Sequence, residues 1–551
     1  MFYIHNIPGR VRIKSDTLKR NSTAADEIRK ALSLIGGIET VDINCTTGSI
    51  IHYQFAVTKC QDITNLLETR GFFDRCKAVT SNEYMRRKTA FLLESLFRFF
   101  AFALTLLVFV NYSAYADTDN EQQQGQQPRQ LPLWFPQLLG AQFTGIYQRM
   151  PDFNSPYTGN NSLRFDQGKG EGFTHTYGIY LGSRISQSLQ LYLDVEMFKG
   201  SGISDGLGLG GNMNGDVVRA GSANLGQDPY LSRFYARYLI PLSSQLTEPQ
   251  ERAIDQLPGP EPADRIEIKA GKLAPPDDFD LNRYANNART QFLNCAFIVN
   301  TAWDYASDTR GYTIGVSIAL VHPTWRLIFG TYQVPTTRNG NVLDSEIYRA
   351  RGDNLELTVK PGTWGTVVRV LAYRNEGRMG DFQQAIDIGN RQGTVPDTMA
   401  IDGPGHVKYG FGLNLEQPIA DEGETGLFAR LGWADGSNSA WSYTEVDRII
   451  SAGMQISGGK WGRTRDRLSF ALALQGLSRV HRDYLADGGM GMLLGDGKLN
   501  YGPENIFEVY YLIQLGRYVQ LSPDFQYIEN PGFNQDRGPV TVYSLRLRVS
   551  Y

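Results

Sequence analysis

Apolar side chains recur at every second position over most of this chain. Near its end Tyr543, Leu545, Leu547, Val549 and Tyr551 alternate with Ser544, Arg546, Arg548 and Ser550. An extended strand with that spacing is apolar on one face and cationic on the other. Phe507, Val509, Tyr511, Ile513 and Leu515 form a second stripe, and Tyr312, Ile314, Val316, Ile318 and Leu320 a third. Leu189, Leu191, Leu193, Val195 and Met197 enclose Asp194 and Glu196, while Phe234, Ala236, Tyr238 and Ile240 alternate with Arg233, Tyr235 and Arg237.

The pattern predicts strands near 137–147, 172–183, 189–198, 231–240, 264–273, 311–321, 325–334, 352–360, 366–375, 407–417, 426–434, 447–457, 467–477, 504–515, 518–527 and 540–551. The connections alternate in length. His322–Thr324, Pro361–Gly365 and Gly516–Arg517 are tight, whereas 199–230, 274–310, 376–406 and 478–503 are long. The stretch 241–263 is too long for a tight turn. An even strand count with short turns at one end and long loops at the other predicts an all-β fold, a 16-stranded antiparallel transmembrane β-barrel. Such a barrel is wide enough for an aqueous channel. One face of each strand then meets hydrocarbon and the other meets water. An arginine such as Arg546 on the lipid face would cost about 2–4 kcal/mol near the midplane, so the arginines belong in the lumen.

The first 136 residues read differently. Residues 1–84 give extended stretches at Phe2–His5, Val11–Lys14, Val41–Ile43 and Ile50–Phe55, with helical spacing at Ala24–Leu34 and from Ile63. That order predicts a small α+β, ferredoxin-like domain. Residues 85–116 combine a basic Met-Arg-Arg-Lys, an apolar run at 99–110 and a small-x-small triplet at Ala114–Ala116, the parts of a signal peptide. Translation from Met85 would place it at the start of the protein. The alternative is a cytoplasmic domain on an uncleaved anchor. Residues 117–136 form a Gln-rich polar leader.

Composition supports a polar barrel. The 551 residues include 58 glycines and 29 tyrosines, and mean hydropathy is −0.32. Net charge is −3, which gives no general attraction to nucleic acid. Cys295 is the one cysteine in the barrel segment, so no disulfide framework is expected there. Gly206–Gly211 spells G-x-G-x-x-G but opens no helix, and it reads as a flexible loop. No G-x-S-x-G nucleophile elbow and no histidine at zinc spacing is read, so neither an enzyme, a cofactor nor a metal is expected.

Specific stretches carry a family likeness. Glu196–Ser204, Gly206–Gly211, Ala288–Asn294, Trp303–Asp304, Asp308–Tyr312 and the ending from Asp524 resemble the carbohydrate-selective porins of the OprB family across 137–551. The resemblance implies an outer-membrane barrel of a Gram-negative bacterium that passes sugars by diffusion through a charged constriction. A general or anion-preferring porin is the alternative, and monomer and homotrimer stay open. Residues 1–80 resemble the heavy-metal-associated domains, including Ile7–Ile13, but the first loop lacks the Cys-x-x-Cys that grips a soft metal.

A diffusion pathway needs weak polar contacts rather than catalysis. Inward candidates from the alternation are Asp194, Glu196, Arg233, Arg237 and Lys269. The long segment 274–310 is the candidate for a loop folded into the lumen, where Asp278, Asp280, Arg289 and Trp303 would shape the path.

Overall fold

A computed structural model describes residues 136–216, 228–243, 247–441 and 444–551, together with strand residues and isolated positions within the first 80. The chain divides into two compact units, 1–129 and 130–551. The first holds β1 (Phe2–Ile7), β2 (Arg10–Lys14), β3 (Ile38–Asn44), β4 (Gly48–Tyr53) and β5 (Ala78–Val79) in the order β3-β4-β2-β1-β5. The β1–β2 pair is antiparallel, and β5 runs parallel to β1. The signal peptide, almost all of the polar leader and most of the expected helices lie outside the described residues.

The second unit is a closed antiparallel barrel of sixteen strands. Its first four are β6 (Leu138–Arg149), β7 (Glu171–Arg184), β8 (Leu189–Ser201) and β9 (Tyr230–Pro241). A two-stranded hairpin, β10 (Thr247–Gln250) and β11 (Gly259–Pro262), interrupts the series outside the barrel sheet. The wall resumes with β12 (Arg265–Leu273), β13 (Thr313–His322), β14 (Trp325–Gln333), β15 (Arg351–Val359), β16 (Val367–Met379) and β17 (Gly403–Ala420). It ends with β18 (Thr425–Ala434), β19 (Arg448–Ser457), β20 (Arg467–Gly476), β21 (Glu504–Leu515), β22 (Val519–Glu529) and β23 (Val540–Ser550). Each expected strand is present within a few residues. Consecutive wall strands pair with one another, and a seam between β23 and β6, Tyr543↔Arg149 to Ser550↔Gln142, closes the cylinder.

The outer surface follows from the period of two. Ile314, Ile318, Phe329, Leu355, Phe411, Leu431, Leu472 and Leu545 all stand exposed on the barrel exterior, a continuous apolar band that water tolerates poorly and hydrocarbon accepts. No described helix is long and apolar enough to cross a membrane; the strands do that work. Trp364 is 81% exposed in the turn after β15, at a strand end where an aromatic side chain suits a membrane–water interface. Ile318, in the middle of β13, tests the orientation. Ile318→Arg should destabilise the folded barrel in lipid vesicles by about 2–4 kcal/mol, whereas Ile318→Leu should not. Urea titration in vesicles measures the difference.

Two sequence expectations need correction. Tyr312 does not join the lipid-facing stripe, because β13 begins only at Thr313 and Gly311 takes φ +95° just before it. That turn breaks the alternation and leaves Tyr312 buried inside. Nor does every inward side chain meet water. Phe428, Ile449, Ile506, Tyr510, Leu512, Ile528 and Val542 on the inner wall pack against Phe292, Phe297, Phe382, Tyr484, Leu493 and Phe533 from the long-end connections. Ring pairs such as Phe292–Tyr510, centroids 5.0 Å apart, fill that half of the cylinder. The open space therefore lies off-centre, toward β8, β9 and β12.

Candidate functional site

The connection between β12 and β13, residues 274–312, folds into the barrel as expected and is fastened to walls on several sides. On one side Asp280 accepts from Arg430 Nε at 3.1 Å and from Asn414 Nδ2 at 2.6 Å, and its backbone N–H donates to Glu356 Oε2 at 2.7 Å. On another, Glu508 takes the Asn294 N–H at 3.0 Å, and Arg546 donates to the carbonyls of Ala288 and Gln291, both at 2.6 Å. A short helix, α1 (Cys295–Ile298), is capped by the Asn294 side chain. Lys408 pairs with Asp304 at 3.4 Å, both almost fully buried. A loop tied to opposite walls is a fixed crossbar, which narrows the lumen.

Beside it, between the crossbar, the β8–β9 connection and the wall, lies a cavity of about 240 Å³. Phe198, Asp216, Arg233, Arg289, Arg310 and Tyr312 are among its lining residues. The charges are arranged as arginines backed by carboxylates. Arg289 bridges Glu196 at 2.5 Å and Asp216 at 2.8 Å, and it also donates to the Tyr180 hydroxyl at 3.0 Å. Glu196 is fully buried behind it and accepts from the hydroxyls of Tyr180, at 2.9 Å, and Tyr312. Arg233 forms a two-pronged bond with Asp277 at 2.6 and 2.7 Å, reaches Asp194 at 3.3 Å and lies 5.2 Å over the Tyr312 ring. Lys272 and Arg310 stack over Tyr230 at 4.0 and 4.3 Å. Burial pushes the Asp216 carboxyl above the usual carboxylate range, although Arg289 pulls it down.

The structure brings Asp194, Glu196, Arg233 and Arg289 together at this opening. Nearer the short-turn end, Lys269 pairs with Asp278 at 2.6 Å, and Arg237 pairs with Glu261 and, at 2.6 Å, with Glu267. Only Arg233 and Arg289 of the candidates line this cavity; Asp194 and Glu196 are buried behind them, Asp278 is buried beside Lys269, and Asp280 and Trp303 lie within the crossbar's own packing. Asp280 is buried against Arg430 and serves the crossbar. Trp303 is 1% exposed, donates to Asn354 Oδ1 at 2.9 Å and packs beside Phe279, so it offers no aromatic surface to a solute. Strand alternation placed the wall residues but is silent on loops, which is why Tyr312, Asp216 and Arg310 escaped it. A glycine directly before Tyr312 was the available signal.

Two glycine-rich readings also change. Gly206–Gly211 is packed rather than loose: Gly208 N–H donates to Leu493 O at 2.9 Å, and Glu445 N–H donates to Gly210 O at 2.7 Å. Gly208 takes φ +90°, and an added Cβ would stand 1.8 Å from Leu163 N. Gly208→Ala should therefore lower the thermal midpoint in detergent, with about 1–3 kcal/mol lost to backbone strain alone. Just before it, Gly202–Gly206 does spell G-x-S-x-G. Ser204 there accepts from Arg164 N–H at 3.1 Å and donates to Ser162 O at 3.3 Å, tying two loops together.

Comparison with known proteins follows the same lines. The family model described as "Carbohydrate-selective porin, OprB family" matches residues 184–551, and that of "Heavy metal associated domain 2" matches residues 3–66. No curated protein matches. Among solved structures, the high-pH form of Pseudomonas putida OprB shares 14% identity over 75% of this chain and 94% of its own, with a TM-score of 0.56. The outer membrane channel DcaP of Acinetobacter baumannii shares 8% identity over 75% and 96%, at 0.41. An anion-selective porin from Comamonas acidovorans shares 9% over 75% and 98%, at 0.40. The first likeness supports the barrel fold, and the other two are too distant to add to it.

Proposed function

The chain belongs to the carbohydrate-selective porin, OprB family, and from that premise we propose that its lumen passes carbohydrates and similar small polar solutes by diffusion across the outer membrane of a Gram-negative bacterium. One observation supports neutral solutes in particular. Two of the arginines that line the opening, Arg233 and Arg289, are each bonded to two carboxylates, so their charge is largely neutralised in place. What they still offer, with the surrounding tyrosine hydroxyls, is a set of hydrogen-bond partners. Contacts of that kind are weak and repeated, as a conducting pathway needs.

A second reading also has an observation behind it. Arg233 and Arg289 stand in front, 13% and 17% exposed, whereas Asp194 and Glu196 sit behind them at 2% and 0%. At Arg289 an anion would meet guanidinium first, whereas at Arg233 the more exposed Asp277 carboxylate stands beside it. Swelling of vesicles carrying the protein, in glucose, neutral disaccharides and organic anions of matched size, separates the two. Faster entry of the sugars is the expected result, and equal rates would remove carbohydrate preference.

A further inference from the structure

The connection from β9 to β12 is out of scale with the tight turns beside it, and its placement explains why. The hairpin β10–β11 pairs Thr247↔Pro262 to Gln250↔Gly259, and its tip, 251–258, turns into the barrel mouth. Leu257 is 2% exposed and packs on Leu138 and Tyr192, both on the inner wall. The wall is thinned to receive it. An added Cβ at Gly140 would lie 2.1 Å from Ile254 O, and one at Gly182 would lie 3.2 Å from Leu257 Cγ. Arg252 donates to Leu139 O at 2.8 Å, Arg184 to Pro258 O at 3.1 Å, and Arg237 holds the base through Glu261. Residues 247–264 carry Glu248, Glu251, Asp255, Glu261 and Asp264 against the single cation Arg252. Asp255 is exposed and within electrostatic reach of Asp194, the residue behind Arg233.

We infer that residues 251–258 form a second constriction, in series with the crossbar and acidic where the first is fronted by arginine. The inference rests on the lumen being the solute path proposed above. An anion is hindered at the acidic stage and a cation at the arginine stage, while an uncharged sugar is hindered at neither. Two opposed fields in series would thus select for neutrality, which neither could do alone.

Planar-bilayer recordings of the full chain test this with three variants. In one, 251–258 is replaced by Asn-Gly, a two-residue turn suited to the Gln250↔Gly259 pair. In another, Gly140→Val wedges the tip off the wall. Both should raise single-channel conductance and admit larger neutral solutes. Asp255→Asn should shift the reversal potential toward anions while leaving sugar entry unchanged. Variants that keep the heat-dependent gel mobility of a folded barrel, yet match the native conductance and reversal potential, would overturn the inference. If the shortened turn fails to fold, Asp255→Cys decides. Modification by a charged methanethiosulfonate should change its conductance relative to the native chain treated alike, and no change overturns the constriction. A native protein that does not conduct would instead defeat the functional reading itself.

Discussion

Asp280→Ala is expected to lower the stability of the barrel in detergent by about 3–5 kcal/mol, because it strands a buried guanidinium. The Arg430 side chain is completely buried, and Asp280 is its ion-pair partner. The same carboxylate accepts from Asn414 Nδ2 at 2.6 Å and from the Asn300 N–H at 2.7 Å. Removing it takes that acceptor from the Arg430 Nε–H and the Asn300 N–H, while Asn414 Nδ2 keeps the carbonyls of Asp280 and Leu281. The double variant Asp280→Ala, Arg430→Met should recover part of the loss, since the uncompensated charge disappears with the arginine. Urea unfolding followed by tryptophan fluorescence gives both values. The channel should become noisier as well, because the crossbar depends on this contact to hold its position. A single variant as stable as the native protein would show that the crossbar is held elsewhere.

Arg289→Ala should turn the opening toward cations. It removes a positive charge and uncovers Glu196 and Asp216, which share that arginine. A unit charge about 4 Å from a passing ion is worth about 1 kcal/mol in bulk-like water, with opposite sign for a cation and an anion, so the cation-to-anion permeability ratio should rise by up to roughly thirtyfold. Reversal potentials across a salt gradient measure it. The change should also depend on pH. Burial already raises the Asp216 carboxyl, and Arg289 opposes that shift, so its loss moves the carboxyl further up. A carboxyl raised by folding is held more tightly as the acid. It destabilises the fold above its raised pKa, and that penalty vanishes below the value of the unfolded chain. The cation preference of the variant should therefore fade as the solution is acidified. A permeability ratio unmoved by the substitution at neutral pH would take Arg289 out of the path.

Strands were legible because hydrocarbon imposes one rule at every second residue. The stripe Leu189 to Met197 pointed outward and Asp194 and Glu196 inward, as the alternation required. The rule ends where the strand ends. Tyr312 shared the parity of Ile314 yet turned inward, because it stands before the strand begins, in the turn at Gly311. Trp303 and Asp280 lie on the infolded connection as expected, but sequence carries no sign of depth within a loop. Whether such a residue faces solute or wall depends on partners such as Asn354 and Arg430, far away in the chain. The apolar half of the lumen was hidden for a related reason. Ile506, Tyr510 and Leu512 extend an apolar run on both strand faces, and only the loops packed on them distinguish a filled interior from an exposed one.

The seam between β23 and β6 joins the two ends of the barrel sequence, so every other strand must be laid down before the cylinder can shut. Until then the nascent sheet carries two open edges whose backbone groups can recruit any extended chain nearby. Contacts this remote form slowly. Biogenesis, more than final stability, is then the vulnerable stage, and the partly built sheet is the species most open to aggregation.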